Sequence, residues 1–344
     1  MKGRQIILDH LGTREAAALM VDGQLHDLLI DADAPRPGTI YRARAMKPVK
    51  GQGGMFLETP DGNAFLKQVK GIAPGEMLTV QLTGYAEEGK ALPVTAKLLF
   101  KSRYAIVTPD APGLNISRQI RDDDRRDALM LIAKDEMAGL EMGLILRSSC
   151  EKASDEDIAE DLRAMVDLAQ TVLADAGDTP ETLTEGDGPH VLAWRDWIEP
   201  ADVVTEAGSF ASHGVLEAID ALKEVHVRLA GGASLYIEPT RALVAVDVNT
   251  GADSSFAAGT RANFACAKDL PRQLRLRGLG GQITIDLAPM PKKDRRGFEA
   301  SLRAALKADG IDTVLAGFTP LGHYELQRKR ARLPLAELLT EVTA

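Results

Sequence analysis

The residue types best suited to chemistry lie between Arg241 and Met290, in RALVAVDVNTGADSSFAAGTRANFACAKDLPRQLRLRGLGGQITIDLAPM. Asp247 falls in the alternating run VAVDVN, where Val244, Val246 and Val248 take one face and Leu243, Ala245, Asp247 and Asn249 the other. Asp286 falls near the end of a second run, QITIDL, with Ile283 and Ile285 opposite Thr284 and Asp286. The stretch between them reads as a helix. A right-handed crossover would leave the two strands parallel in one sheet, both carboxylates near its carboxyl edge, where open α/β sheets place ligands. Two carboxylates there repel, and a divalent cation relieves that repulsion. An alternating strand ending in Asp is common, so the residues alone leave a purely structural role open.

The rest of the composition bounds what such a pair could serve. At 344 residues, 45% hydrophobic and 26% charged, the chain has the make-up of a soluble protein of two to four compact units. No run reaches the roughly 20 apolar residues that span a bilayer. The opening MKGRQIILDHLGTREAA is too polar for a secretory signal, so a cytoplasmic location without a membrane span is expected. Cys150 and Cys266, the only two cysteines, exclude a disulfide framework and a cysteine-based zinc site, and are expected as small buried residues. A net charge of −9 is awkward for a nucleic-acid partner unless cations are concentrated locally. Three late clusters could concentrate them: Arg272, Arg275 and Arg277; Lys292, Lys293, Arg295 and Arg296; and Arg328, Lys329, Arg330 and Arg332. Their other reading is as solvated helix faces.

DVN, RQLRLRGLGG and ITIDL, recurring together and in that order, resemble the catalytic core of the ribonuclease E/G family of RNA endonucleases. The resemblance implies that Asp247 and Asp286 bind magnesium, with manganese as an alternative, and that Asn249 supports catalysis. It also implies a single-stranded RNA partner, cut so that the downstream fragment keeps a 5′ phosphate. Two departures stand out. Family members often carry a further acid where this chain has Ala288 and Pro289, and Pro271 is expected to kink or restart the crossover helix. Longer members carry a CxxC zinc-binding pair through which subunits associate. No structural zinc is expected here, and any homo-oligomer would form without it.

Taken in order, the chain reads as an α/β, multi-subdomain protein. Residues 4–30 form a hairpin, with its turn at Asp22-Gly23, and a further strand. By the resemblance, residues 1–36 begin a ribonuclease-H-like sheet that is interrupted and then completed by residues 179–230. Residues 37–100 hold five short strands separated by Gly, Pro and Asp-Gly turns, which suits an oligonucleotide-binding (OB-fold) barrel and resembles the family's S1-type RNA-binding domain. Phe56 and Phe65 match that domain's base-stacking phenylalanines and Lys90 a nearby basic residue, although the barrel is shorter than usual between Phe65 and Leu78. The opposing expectation is that both rings are core.

Residues 101–178 form a third unit: a strand YAIVTP, a helix capped near Asp122 to Asp124, the strand GLILRSS, and an amphipathic helix opened by Ser154. GLILRSS resembles the family's 5′-monophosphate sensor, with Arg147 and Ser148 gripping the phosphate and Ile106 and Arg118 beside them. The alternative for Arg147 is an ion pair with the acidic helix nearby. Thr179 to Gly188 reads as a hinge, HVLAWRDWIEPADVVTEAG as two short strands with Trp194 and Trp197 in the core, and SFASHGVLEAIDALKEVHVRL as a helix. Residues 231–344 complete a βαβαβ unit, similar to the family's DNase-I-like catalytic subdomain, whose final helix is YELQRKRARLPLAELL.

The leading expectation is therefore a magnesium-dependent endoribonuclease in RNA processing or decay that favours 5′-monophosphorylated ends. The competing readings are an RNA-binding scaffold with weakened catalysis and, less supported by the barrel and the Arg147 strand, an unrelated phosphohydrolase.

Overall fold

Asp22 and Gly23 sit in the left-handed region at φ 49° and 79°, the turn that an Asp-Gly pair favours between two strands. They fold Arg14–Val21 back on Gln24–Ile30, and Arg4–Leu11 pairs with the other edge of Arg14–Val21. Asp202–Val204 returns from far along the chain to lie parallel to Arg4–Leu11, completing a four-stranded sheet. This computed structural model describes residues 3–49, 53–67, 71–87 and 89–342. Its contacts divide it into two units, Met1–Ile30 with Ala201–Ala344, and Asp31–Pro200. Among the described residues, no helix is long and apolar enough to cross a membrane.

The first unit also contains a six-stranded sheet in the order His226–Arg228, Ser234–Pro239, Val244–Asn249, Gly281–Asp286, Tyr324–Arg328, Thr313–Phe318. Alternation puts Val246, Val248, Ile283 and Ile285 on one face, where Leu270 and Phe298 from the helices Phe256–Leu276 and Arg295–Asp309 bury them. As expected, Val244–Asn249 and Gly281–Asp286 are parallel neighbours joined by the helix Phe256–Leu276. That helix runs through Pro271 without the predicted restart; Pro271 lies on its buried side.

The end of the chain departs further from expectation. YELQR is a strand, not the start of a helix, and only Leu335–Val342 is helical. Its period-two pattern, with Tyr324 and Leu326 buried and Gln327 outside, outweighs the helix-forming character of its charged residues. The third segment is thus an antiparallel hairpin, and the sheet is not a simple βαβαβ. SFASHGVLEAIDALKEVHVRL likewise divides into the helices Ser209–Ser212 and Val215–Lys223 and the strand His226–Arg228.

In the second unit, Ile40–Val49, Gly54–Thr59, Gly62–Lys67, Leu92–Thr95 and Met77–Leu82 pair in that order, and the last returns to the first. This closed five-stranded barrel, with one parallel contact, suits the OB fold. Met55, Leu57 and Val80 fill it. The strand ends expected at Lys50, Gln68 and Val69, and Glu88 in the later run, lie outside the described residues. The supposed hinge at Thr179 to Gly188 instead supplies a strand, Glu181–Thr184, that pairs with Ile40–Val49.

Beside the barrel in sequence, Gly113–Ile116, Gly143–Leu146, Ala105–Thr108 and Phe100–Lys101 form a four-stranded sheet packed by the helices Asp123–Glu136 and Asp155–Leu173. Both helices start where their caps predict: Asp122 accepts from the Arg125 amide at 2.7 Å and Ser154 from the Asp157 amide at 3.1 Å. HVLAWRD is a helix, Pro189–Asp196, rather than a strand, because Pro189 suits its first turn. Trp197 is buried as expected, but Trp194 is 60% exposed, its ring stacked under the Arg103 guanidinium at 3.8 Å.

Candidate active site

The parallel register pairs Asp247 directly with Asp286. Neighbouring strands lie about 4.7–4.9 Å apart and paired residues face the same side, so the two carboxylates stand side by side. Both are on the face opposite the helices and both are exposed. The Asn249 amide Nδ2, two residues along the same face, donates to Asp247 Oδ2 at 2.7 Å and fixes that carboxylate's orientation. The three residues singled out from the sequence are therefore brought together.

Register extends the row in both directions. Tyr236 pairs with Asp247 and His226 with Tyr236. On the far side, Tyr324 pairs with Ile285, which puts the preceding His323 next to Asp286, with Nδ1 3.2 Å from Oδ1. The line His226, Tyr236, Asp247, Asp286, His323 thus crosses five strands or strand ends on one polar face. Reading YELQRKR as a helix hid His323; the turn residues Pro320 and Gly322 before an alternating run were the available signal.

The loop after Asp286 is anchored by the crossover helix. Asn263, fully buried, donates to the Ala288 carbonyl at 2.8 Å and accepts from the Ala288 amide at 3.0 Å. One turn earlier, Gly259 meets the Pro289 carbonyl so closely that a Cβ there would overlap it. Ala288 and Pro289, where a further acid is common in the resembled family, thus serve as backbone docking points.

Among the described residues, no three His, Cys, Asp or Glu side chains are arranged to hold a metal ion. Magnesium is commonly held by one or two carboxylates, with substrate phosphate and water completing its shell. An exposed, in-register carboxylate pair fits that requirement.

The residues compared with a 5′-phosphate sensor lie toward one end of their sheet. Ile106 pairs with Ile145, and Arg118 and Ser148 each lie two residues beyond the pairing of Ile116 with Leu146. Arg147 is already engaged. Its Nη1 donates to the carbonyls of Ser102 at 2.6 Å and Arg195 at 3.2 Å, and its Nη2 to Asp196 Oδ1 at 2.8 Å. Burial by itself would raise the Asp196 carboxyl, but Arg195 and Arg147 hold it below the usual carboxylate range. The ion pair is therefore with Asp196, not with the acidic helix, whose Asp161 instead accepts from Ser102 Oγ at 2.5 Å.

On the barrel, Phe56 and Phe65 are direct cross-strand partners with ring centroids 5.3 Å apart, edge to face. Neither is core: Phe56 is 37% exposed and Phe65 partly exposed. Lys90 is exposed and pairs with Glu87 at 2.9 Å.

Two of the three basic clusters are largely consumed by the fold. Arg328, with no exposed side-chain surface, binds Asp309 at 2.5 Å, and Arg275 also pairs with Asp309. Arg332 binds Asp27 at 2.5 Å, Arg272 donates to the Leu25 carbonyl at 2.8 Å, and buried Arg277 donates to the Leu222 carbonyl. Lys292, Lys293 and Arg296 remain exposed. Cys150 and Cys266 are buried as expected, and burial pushes each thiol up to about 12.

The model of the "Ribonuclease E/G family" matches residues 100–204 and 199–331. The chain is 27% identical to Ribonuclease G of Salmonella typhimurium strain SL1344 and 26% identical to Ribonuclease G of Escherichia coli strain K12, in each case over 97% of this chain and 81% of the relative. It is 27% identical to Ribonuclease E of Nostoc sp. strain PCC 7120, over 97% of this chain and 57% of that protein.

Proposed function

Because the chain belongs to the ribonuclease E/G family, we propose that it is a metal-dependent endoribonuclease that cuts single-stranded RNA in RNA processing or decay. The observation that carries this reading is the pairing of Asp247 with Asp286 on an exposed sheet face, with Asn249 bonded to the first acid. A divalent cation held by the two carboxylates would supply positive charge to the reacting phosphate, where negative charge builds as the phosphodiester breaks. The protein's own groups do the positioning. Asn249 holds Asp247 in one rotamer, His323 flanks Asp286, and Asn263 with Gly259 anchors the loop after Asp286. On the barrel, Phe56 and Phe65 offer two adjacent ring faces on which bases can stack.

End recognition by Arg147, Ser148, Ile106 and Arg118 is part of the same proposal. A terminal phosphate arriving there would share Arg147 with Asp196, which already accepts from its Nη2. A guanidinium whose charge is already paired yields a smaller preference than an unpaired one would.

The test is cleavage of a short single-stranded RNA with magnesium, and with excess chelator, by the wild type and by Asp247→Asn and Asp286→Asn. Cleavage should require the metal and fall at least about 100-fold in each variant, as losing several kcal/mol of charge stabilisation implies. RNA binding should be retained. Wild-type cleavage rates in Asp286→Asn would remove that acid from the reaction; an inactive wild type that still binds RNA would favour a scaffold.

A further inference from the structure

We infer that Tyr236 and His226 form a base-stacking platform beside the two acids, holding a nucleobase next to the phosphodiester to be cut. This rests on the endoribonuclease reading and assigns that site a nucleobase subsite of its own. Tyr236 is the direct cross-strand partner of Asp247, and His226 that of Tyr236. With neighbouring strands about 4.7–4.9 Å apart, the two rings lie one and two strand spacings from the carboxylate. Both spacings are within the reach of the nucleotide that a phosphate at the acids would bring with it. The ring centroids are 5.0 Å apart and the planes tilted by 47°, so the two rings pack together without being coplanar, and a base lies flat on one of them at a time.

Exposure and surroundings argue for a ligand rather than for packing. Tyr236 is 39% exposed and His226 is exposed, while the core of this sheet lies on its other face with Leu235 and Ile237. The next row on the open face runs Arg228, Ser234, Asn249. Exposed Arg228 is thus placed to meet a neighbouring phosphate of the chain whose base lies on the rings. Across the sheet, Arg228 and His226 share the outer strand, Tyr236 lies on the next and the acid pair on the two after it, so a base on Tyr236 stands between the acids and the cation. Stacking accepts any base, so the platform would position the strand without choosing a sequence.

The alternative is that the two rings only stabilise strand pairing, as cross-strand aromatic pairs do. The experiment uses the full chain and an RNA carrying 2-aminopurine beside a mapped cut, read by fluorescence in excess chelator and by kcat/KM in magnesium. Stacking should quench the fluorophore in the wild type and in Tyr236→Phe. Tyr236→Leu keeps an apolar strand residue but has no π face. It should lose the quench and lower kcat/KM by about 5- to 100-fold, with an unchanged urea midpoint. His226→Leu should act in the same direction, more weakly. A wild type that cuts the RNA while Tyr236→Leu matches it in quench and kcat/KM overturns the platform and leaves the endoribonuclease reading standing. Tyr236→Leu impaired only in proportion to lost stability, with Tyr236→Phe equally impaired, assigns the pair to strand pairing and also overturns it. A wild type that neither binds nor cuts RNA overturns both.

Discussion

Arg328→Met distinguishes a cation that holds the fold from one that holds RNA. Arg328 has no exposed side-chain surface; its Nη2 lies 2.5 Å from Asp309 Oδ2 and its Nη1 3.3 Å from Thr313 Oγ1. Burial first, and then the Arg332 charge, push its guanidinium down to about 10, so it still carries its charge at neutral pH. Asp309 is itself 2% exposed and shared with Arg275. Removing one partner of a buried ion pair costs about 3–5 kcal/mol. Arg275 remains with Asp309 and methionine fills most of the volume, so the lower end, about 3 kcal/mol, is expected. With a urea slope of about 2–3 kcal/mol/M the midpoint falls by about 1 M. Far-UV circular dichroism is the appropriate probe, because Trp194 and Trp197 belong to the other unit. RNA affinity without urea should keep its salt dependence. An unchanged midpoint together with a salt slope shallower by about 0.7, one phosphate contact on a single strand, would refute the structural assignment.

Phe56→Ala and Phe65→Ala should each weaken single-strand binding by about 1–3 kcal/mol, measured by fluorescence anisotropy. Because both rings are partly exposed, their melts should fall by less than the about 3–5 kcal/mol of a core phenylalanine. Arg147→Ala should erase any preference for a 5′ monophosphate over a 5′ hydroxyl. That preference should be nearer 10-fold than 100-fold, on the order of one charge-assisted bond to a guanidinium already paired with Asp196; equal wild-type rates on the two ends would refute sensing. Burial raises the Asp27 carboxyl, but Arg332 and Arg275 outweigh it and leave the group below 3.8. A depressed carboxylate contributes stability that is fully present above its unfolded value and lost as pH falls through the folded one. Melts of the wild type should therefore weaken below about pH 4, and Asp27→Asn should be less stable at pH 7 but flatter across that acid range.

Local pattern alone made much of this protein legible. The two acidic strands, their parallel pairing and the face shared by Asp247 and Asn249 follow from period-two alternation and the handedness of a crossover. The Asp-Gly turn and the caps at Asp122 and Ser154 follow from side chains that satisfy nearby backbone groups. The run of short strands between Gly and Pro turns was enough to expect the barrel. Tertiary structure decided what local pattern leaves open. Whether an arginine faces solvent or an aspartate depends on residues far away in sequence, which is how Arg328 and Arg332 came to be spent on Asp309 and Asp27. YELQR carries charges that suit a helix surface as well as a period-two pattern that suits a strand, and pairing beside Gly281–Asp286 decides for the strand. The row from His226 to His323 could not be read from spacing, because register between strands is set by how whole faces pack. A shift of one residue would have turned Tyr236 and His323 away from the acids.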